Sequence, residues 1–335
     1  MIDLESKKNK ILYYEIIEGR SKCLDPFDKG PLYIKHFGDI DSSKFEEYYI
    51  INYEQAISKG VPSEKEQIDY LIKEELWEAE KDKQILVKES SLKELNDLKT
   101  KAYLFSKINQ INRDISKLED EIYNLKSQKK ELIGLTAEIY AQNKMEYYYI
   151  YNSFYIDDNL TRKKFEEENF EIENIKQFNQ YVDLHNNVVQ KFSLKNIKNL
   201  SLSDFIQGLV NLSENKAYNF FGKPVTLLTY YQTTMFIYAK YYNTILSTPE
   251  AKKLKDEIKN DADKLSDWYS TTNNLNNKLK SNNVKDGMVF VTDATEEDLS
   301  HLNQNSNSPP SSLDKLAQEK GGKLDLQDLV KFFKK

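Results

Sequence analysis

The chain has 335 residues, of which 39% are hydrophobic and 30% are charged, and its formal net charge is −6. This length predicts two or three structural units, and the mildly acidic balance argues against broad electrostatic binding of nucleic acid. Cys23 is the single cysteine, which excludes an internal disulfide and a cysteine-based zinc site.

No stretch of the sequence has the length and apolarity that a membrane requires. Residues 1–5 lack the apolar core of a signal peptide. No run approaches the roughly 18 apolar residues of a spanning helix. The sequence therefore predicts no membrane partner, and it favours a cytoplasmic compartment or a particle assembled there.

The first 62 residues predict a small α+β unit. Residues 11–17 are β-branched and aromatic, which suits a strand, and residues 32–37 alternate like a second strand. Proline and glycine turn signals separate the two. A helix over about residues 43–58, ended by Gly60, completes the unit, because two strands alone are marginally stable.

A long helical region follows and begins at a clear N-terminal signal. Ser63 with Glu66 three residues later forms a capping box. The same pattern recurs at Ser91 and Glu94, which leaves a break in the helix near Ser90 as one alternative.

This helical region, residues 63–160, contains a predicted coiled-coil seam, because apolar residues recur at alternating spacings of three and four. The seam residues are Ile108, Ile111, Ile115, Leu118, Ile122, Leu125 and Leu132. A coiled coil needs a partner helix, in the same chain or in a second copy, so self-association is one expected mode. The absence of Gly and Pro from 63 to 133 favours a continuous helix over 77–133. Similar apolar lengths on either side of residues 105–110 favour a hairpin, which we prefer.

Helical periodicity continues past Gly134 into a tyrosine-rich segment, residues 147–155. Its aromatic cluster comprises Tyr147, Tyr148, Tyr151, Phe154 and Tyr155. One interpretation is a stacking platform for bases or sugars. We favour a docking site for the next domain, because aromatic rings provide much burial per residue.

The second half predicts a helical domain over 161–285, a flexible linker over 286–312 and a docking peptide over 313–335. The linker is rich in Asn, Gln, Ser and Pro. The docking side chains are Leu326, Leu329, Val330, Phe332 and Phe333. A short amphipathic peptide on a linker is a common way to present a docking ligand.

No residue pattern predicts catalysis or metal binding. His36, His185 and His301 are far apart in sequence and lack ligand neighbours at metal-binding spacing. His185 lies on an apolar helical face and is interpreted as a core residue. The loop 222–224 lacks the spacing of a phosphate loop, and its proline removes a backbone N–H. We therefore predict no catalytic residue, no metal, no cofactor and no enzyme activity.

Three stretches carry a resemblance to a known group of proteins. They are residues 32–38 (LYIKHFG), 131–138 (ELIGLTAE) and 220–232 (FFGKPVTLLTYYQ). In this order around a charged coil, they resemble the coil-containing tail and baseplate assembly proteins of T-even-like contractile-tailed phages, over roughly residues 8–300. The resemblance implies a virion component or an assembly chaperone in the host cytoplasm, with tail or baseplate proteins as partners. It carries over no functional residue.

The sequence as a whole predicts a mainly α protein, in which a long coiled coil or helical hairpin links a small N-terminal α+β unit to a C-terminal helical domain. The expected function is phage tail or baseplate morphogenesis through protein–protein contacts. The alternative is a nucleic-acid-associated factor tethered to a sliding clamp. It depends on stacking by the tyrosines and on Gln327, Val330, Phe332 and Phe333, which resemble the clamp ligand with the aromatics one position early.

Overall fold

Helices make up most of this chain, and a single small sheet accompanies them in the residues that the computed structural model describes, which are 4–102, 104–166 and 175–281. The helices are Leu4–Glu18 (α1), Asp39–Ser58 (α2), Glu64–Lys73 (α3), Ala79–Lys101 (α4), Phe105–Ile133 (α5), Ala137–Ser153 (α6), Ile175–Val189 (α7), Leu194–Leu202 (α8), Asp204–Leu212 (α9), Ala217–Phe221 (α10), Tyr230–Leu246 (α11), Asp256–Lys259 (α12) and Ala262–Ser281 (α13). The prediction of a mainly α protein with a small β component is confirmed. The predicted linker 286–312 and docking peptide 313–335 lie outside the described residues.

The sheet has three antiparallel strands in the order β1-β2-β3. The strands are Arg20–Leu24 (β1), Pro31–Lys35 (β2) and Phe154–Tyr155 (β3). Cys23 pairs with Leu32, and Ile34 pairs with Phe154. The strand predicted near residues 32–37 is confirmed as β2, whereas its second neighbour in the sheet, β3, comes from a distant part of the chain.

The strand predicted over residues 11–17 is wrong, because this segment belongs to α1. Leu12 and Ile16 lie one helical turn apart and are both buried. They pack against α8 and α11, so tertiary burial outweighs the β-propensity of the local sequence. The chain leaves α1 through Gly19, whose φ of +69° is the left-handed conformation that glycine adopts without steric cost.

The helix signals near residue 60 are confirmed. Gly60, with φ +80°, follows the end of α2. Ser63 caps α3, since its hydroxyl accepts a hydrogen bond from Glu66 N at 3.3 Å while the Glu66 carboxylate accepts from Ser63 N at 2.8 Å. The alternative of a break near Ser90 is wrong, because α4 continues through this position to Lys101.

Residues 77–133 do not form one continuous helix, because α4 ends at Lys101 and α5 begins at Phe105. Three ion pairs show that the two helices run antiparallel where they adjoin in the first compact unit. The pairs are Asp82–Lys129 at 2.9 Å, Lys126–Glu89 at 2.6 Å and Lys88–Glu121 at 2.5 Å. This pairing agrees with the preferred hairpin. A second interruption follows at Gly134 (φ +68°), so the helical periodicity does not extend unbroken into α6.

The described residues divide into two compact units. The first comprises residues up to Ser91 together with Leu118–Ser266, and the second comprises Leu92–Lys117 with residues from Asp267 onward. In the second unit, Lys99 pairs with Asp267 at 3.3 Å. The Asn274 amide also donates to the carbonyl oxygens of Thr100 and Ala102.

Three hydrophobic clusters of described residues lie in the core of the first unit. One joins α1 to α8, α9 and α11, a second joins the sheet to α6 and α7, and a third joins α3 to α4 and α5. The first two clusters combine residues from before position 62 with residues from after position 160. The core of the first unit therefore crosses both of those predicted boundaries.

Candidate functional site

The predicted seam residues differ in burial along α5. Ile108, Ile111 and Ile122 are buried, and Ile115, Leu118 and Leu125 are half-buried. At the C-terminal end, Leu132 is 42% exposed while its neighbour Ile133 is 5% exposed and packs with Leu71 and Trp77. The buried face of α5 has therefore moved by one residue from the heptad register, as expected for a straight helix with 3.6 residues per turn.

The predicted aromatic cluster lies within the first unit, and most of its rings are buried. Tyr148 stacks on Tyr48 of α2, with ring centroids 4.1 Å apart and an interplanar angle of 10°. Tyr151 stacks on Phe165 at 4.7 Å. These partners cover ring faces on which a nucleic-acid base would have to stack, so the stacking interpretation has no support at these two residues.

The remaining members of the cluster contact the sheet and α7. The Phe154 ring is fully buried and lies edge-on to Tyr181 at 5.4 Å. Tyr155 pairs with Tyr33 across β3 and β2. Tyr147 is half-buried and contacts Phe178 at 5.9 Å. The cluster therefore belongs to the internal packing of the first unit.

The third predicted group lies outside the described residues. Its members are Leu326, Leu329, Val330, Phe332 and Phe333.

A cleft of about 410 Å³ opens beside the aromatic cluster. Three helices build it: α2 contributes one ring, α6 contributes a helical face, and α7 contributes the opposite wall. The lining residues are Phe45, Asn143, Met145, Glu146, Tyr147, Tyr149, Ile150, Val182, His185 and Asn186. On α6, Asn143, Glu146 and Ile150 are three and four residues apart, which places them on one face. This volume lies within the range of about 300–1,000 Å³ that is usual for ligand sites.

His185 is the buried polar group of the cleft. It is 6% exposed, and its ring lies edge-on to Tyr149 at 5.8 Å. Burial lowers the pKa of His185, and a side-chain hydrogen bond with Asn186 opposes that shift only in part, so the imidazole is neutral near pH 7. Its Nδ1 atom is buried and has no hydrogen-bond partner among the described residues.

Tyr149 and Glu146 complete the polar chemistry of the cleft. Burial raises the pKa of Tyr149 well above its usual value, so its hydroxyl stays protonated. Its ring packs edge-on to Phe37 at 4.8 Å and tilted against Phe45 at 5.1 Å, which fixes its position. Glu146 accepts a hydrogen bond from Gln142 at 2.8 Å. The cleft can therefore present hydrogen-bond acceptors and aromatic rings on a preformed frame.

A second polar group, buried near α1, superficially resembles a hydrolase triad. Ser21 Oγ lies 2.9 Å from His36 Nε2 and donates to Glu15 at 3.2 Å. Because serine has a single hydroxyl proton, Ser21 accepts from His36, which is the reverse of the order that activates a nucleophile. Ser21 is also fully buried, and Lys191 neutralises Glu15 at 2.7 Å. The group therefore pairs polar atoms in the core, while His36 Nδ1 has no hydrogen-bond partner among the described residues.

Sequence reasoning located the tyrosines and His185 but missed the cleft. The positions of Val182, His185 and Val189 on one helical face indicated a core face, and His185 is indeed buried. The approach of Phe45 from α2 depends on long-range packing between α2 and α6, for which the local sequence holds no signal.

Within the described ranges, no three side chains of the metal-ligating types converge. The helices described here include none with the length and apolarity to cross a bilayer. No protein-family model, curated protein or solved structure matches this chain.

Proposed function

We propose that this protein acts in the morphogenesis of a contractile phage tail or baseplate, as an assembly chaperone or a structural component, and that it works by binding other proteins. The phage assignment depends on the resemblance of residues 32–38, 131–138 and 220–232. The mode of action is supported by an exposed apolar surface that forms where the first and third of these segments meet.

The observation that carries the proposal is an apolar patch made of Ile40, Val225, Leu227 and Tyr230. Each of these side chains is between 50% and 63% exposed. Single exposed apolar residues are common on protein surfaces, but several together mark interaction sites. Three of the four lie within six residues of one another, and the 3-10 turn Val225–Leu227 contacts α2, whose first turn contains Ile40.

Backbone pairing holds this patch together. Gly38 and Thr229 form an isolated antiparallel bridge, and Tyr230 N donates to Phe37 O at 3.0 Å. Gln232 anchors the segment from below, because its amide donates to the carbonyl oxygens of Ile16 and Ile17 at 2.8 and 2.9 Å. Side chains on such a supported segment stay exposed without collapsing into the core.

The other parts of the chain receive proposed roles from the same interpretation. The helices of residues 63–160 act as a spacer or clamp, and self-association through them is one mode of assembly. The helices after residue 161 form the binding body, and residues 313–335 act as a tether. The site of action is the host cytoplasm during assembly, or the virion.

Co-purification of the tagged protein from infected cells, followed by mass spectrometry, tests this proposal. We expect tail or baseplate proteins to be enriched with the parent chain and depleted with a Val225→Asp, Leu227→Asp variant. The matched control is Leu212→Asp, because Leu212 is 83% exposed at the end of α9 and lies outside the patch. Enrichment of no tail component, or equal enrichment with the patch variant, would overturn the proposal.

A further inference from the structure

The cleft between α2, α6 and α7 has a composition that selects for a cation. Among its described lining residues, Glu146 is the one with a formal charge near pH 7, since His185 is neutral there. Phe45, Tyr147 and Tyr149 provide aromatic rings, whose faces carry partial negative charge and attract cations. Charge and ring electrostatics therefore act in the same direction.

The cleft also offers several polar atoms that can accept hydrogen bonds. The Nδ1 atom of His185 is buried and has no hydrogen-bond partner among the described residues, so one polar atom of this wall is unsatisfied. A neutral imidazole has one ring nitrogen that accepts hydrogen bonds. Asn143 and Asn186 add carboxamide oxygens, and Glu146 adds a carboxylate. A ligand rich in N–H donors can therefore bind to the acceptors of this cleft.

We propose that this cleft binds the guanidinium group of an arginine side chain presented by a partner protein. This inference rests on the proposed function, because it names the chemistry by which a protein partner is recognised. A guanidinium is planar, stacks on aromatic faces and offers five N–H donors in a fixed fork. A lysine ammonium is compact, more strongly hydrated and has three donors, so it matches flat rings and several separated acceptors less well.

The methionines of the chain provide a direct readout. Met145 lines the cleft, whereas Met235 is fully buried in the core between α1, α8 and α11. In a protein labelled with ¹³C at the methionine methyl groups, the Met145 signal reports on the cleft. The Met235 signal serves as an internal control for any change in the fold.

The experiment titrates the full chain with Nα-acetyl-L-arginine amide. The matched neutral probe is Nα-acetyl-L-citrulline amide, which keeps the size and shape of the side chain and removes its charge. We expect a saturable shift of Met145 with the arginine probe, no shift of Met235, and affinity for the citrulline probe that is weaker by about ten-fold or more. The corresponding lysine probe should bind more weakly than the arginine probe.

The variant Glu146→Gln tests the carboxylate. Glu146 is exposed in the middle of α6, so the variant should retain the parent fold by circular dichroism. We expect it to weaken the arginine probe by about ten-fold and to leave the citrulline probe unchanged. An unmoved Met145, equal binding of the two probes, or an unchanged affinity in the variant would overturn the arginine site.

A second arm addresses the source of the arginine. The Glu146→Gln chain is carried through the co-purification described above, and loss of the captured tail protein is expected. Retention of that protein at the parent yield would overturn its role as the source. The titration needs no partner, so its failure refutes the cleft proposal alone. Failure of the parent co-purification refutes the proposed function and leaves a positive titration standing.

Discussion

Gly38 lies where the chain passes closest to the segment before α11, and replacing it by alanine should destabilise the first unit. A β-carbon added at Gly38 would lie 2.3 Å from Leu228 O, 3.2 Å from Leu228 C and 3.3 Å from Thr229 Cα. All three are backbone atoms, so no side-chain rotation relieves the overlap. The backbone of Gly38 (φ −127°, ψ −176°) is extended, and alanine adopts it freely. The loss of stability therefore comes from the steric overlap between the added β-carbon and the backbone of Leu228 and Thr229.

The size of the effect follows from the atoms that must move. Relief of the overlap requires the two segments to separate, at about 1–3 kcal/mol for an overpacked contact. Separation also weakens the 3.0 Å hydrogen bond from Tyr230 N to Phe37 O, which is worth about 0.5–1.5 kcal/mol. Alanine offsets about 0.4–1 kcal/mol by restricting the unfolded chain. We expect a net loss of about 1–3 kcal/mol in the free energy of unfolding.

Urea denaturation followed by circular dichroism measures this loss, and Gly208→Ala supplies the matched control. Gly208 lies within α9, and a β-carbon there meets nothing within 4 Å. The same substitution should therefore stabilise by about 0.5–1 kcal/mol through helix propensity. A Gly38→Ala midpoint at or above that of the parent would refute the steric argument, as would equal shifts in the two variants.

Three further predictions concern buried groups of the first unit. Ile133→Ala should lower the free energy of unfolding by about 2–4 kcal/mol, whereas Leu132→Ala should lower it by less than about 1 kcal/mol, because of these two residues only Ile133 is buried. Equal urea midpoints for the two variants would contradict this prediction. Burial lowers the pKa of His36 from 6.5 to about 3. The neutral side chain therefore contributes fully to the free energy of unfolding above pH 6.5, and this contribution falls by about 1.4 kcal/mol per pH unit as the pH drops toward 3. His36→Gln should flatten that part of the stability–pH curve, and an unchanged slope would count against it. Asp25→Asn should lower the free energy of unfolding by about 2–4 kcal/mol, because the buried Asp25 carboxylate pairs with Lys164 at 2.8 Å. Asp28→Asn should lower it by less than about 1 kcal/mol, because Asp28 is exposed where it pairs with the same lysine. Thermal melts in which Asp28→Asn is the less stable of the two variants would contradict this prediction.

The hairpin illustrates what a one-dimensional pattern can and cannot specify. The spacing of apolar residues identified the buried face of α5 over Ile108, Ile111 and Ile122. It placed the last position at Leu132, whereas the structure buries Ile133. The heptad repeat assumes 3.5 residues per turn, but this end of α5 packs on both α3 and α4 rather than along a single supercoiled partner, so the helix keeps its own period.

The sequence by itself determined the features that depend on neighbouring residues. The helical class, the cap formed by Ser63 and Glu66, the end of α2 near Gly60 and the strand β2 are all local, because each depends on backbone preferences and hydrogen bonds within a few residues. The tertiary structure alone decided the rest. It made residues 11–17 helical, gave β2 a third strand from Phe154–Tyr155, and formed the cleft and the apolar patch. These features depend on burial shared between segments more than 100 residues apart along the chain, and that burial depends on how the segments pack in three dimensions.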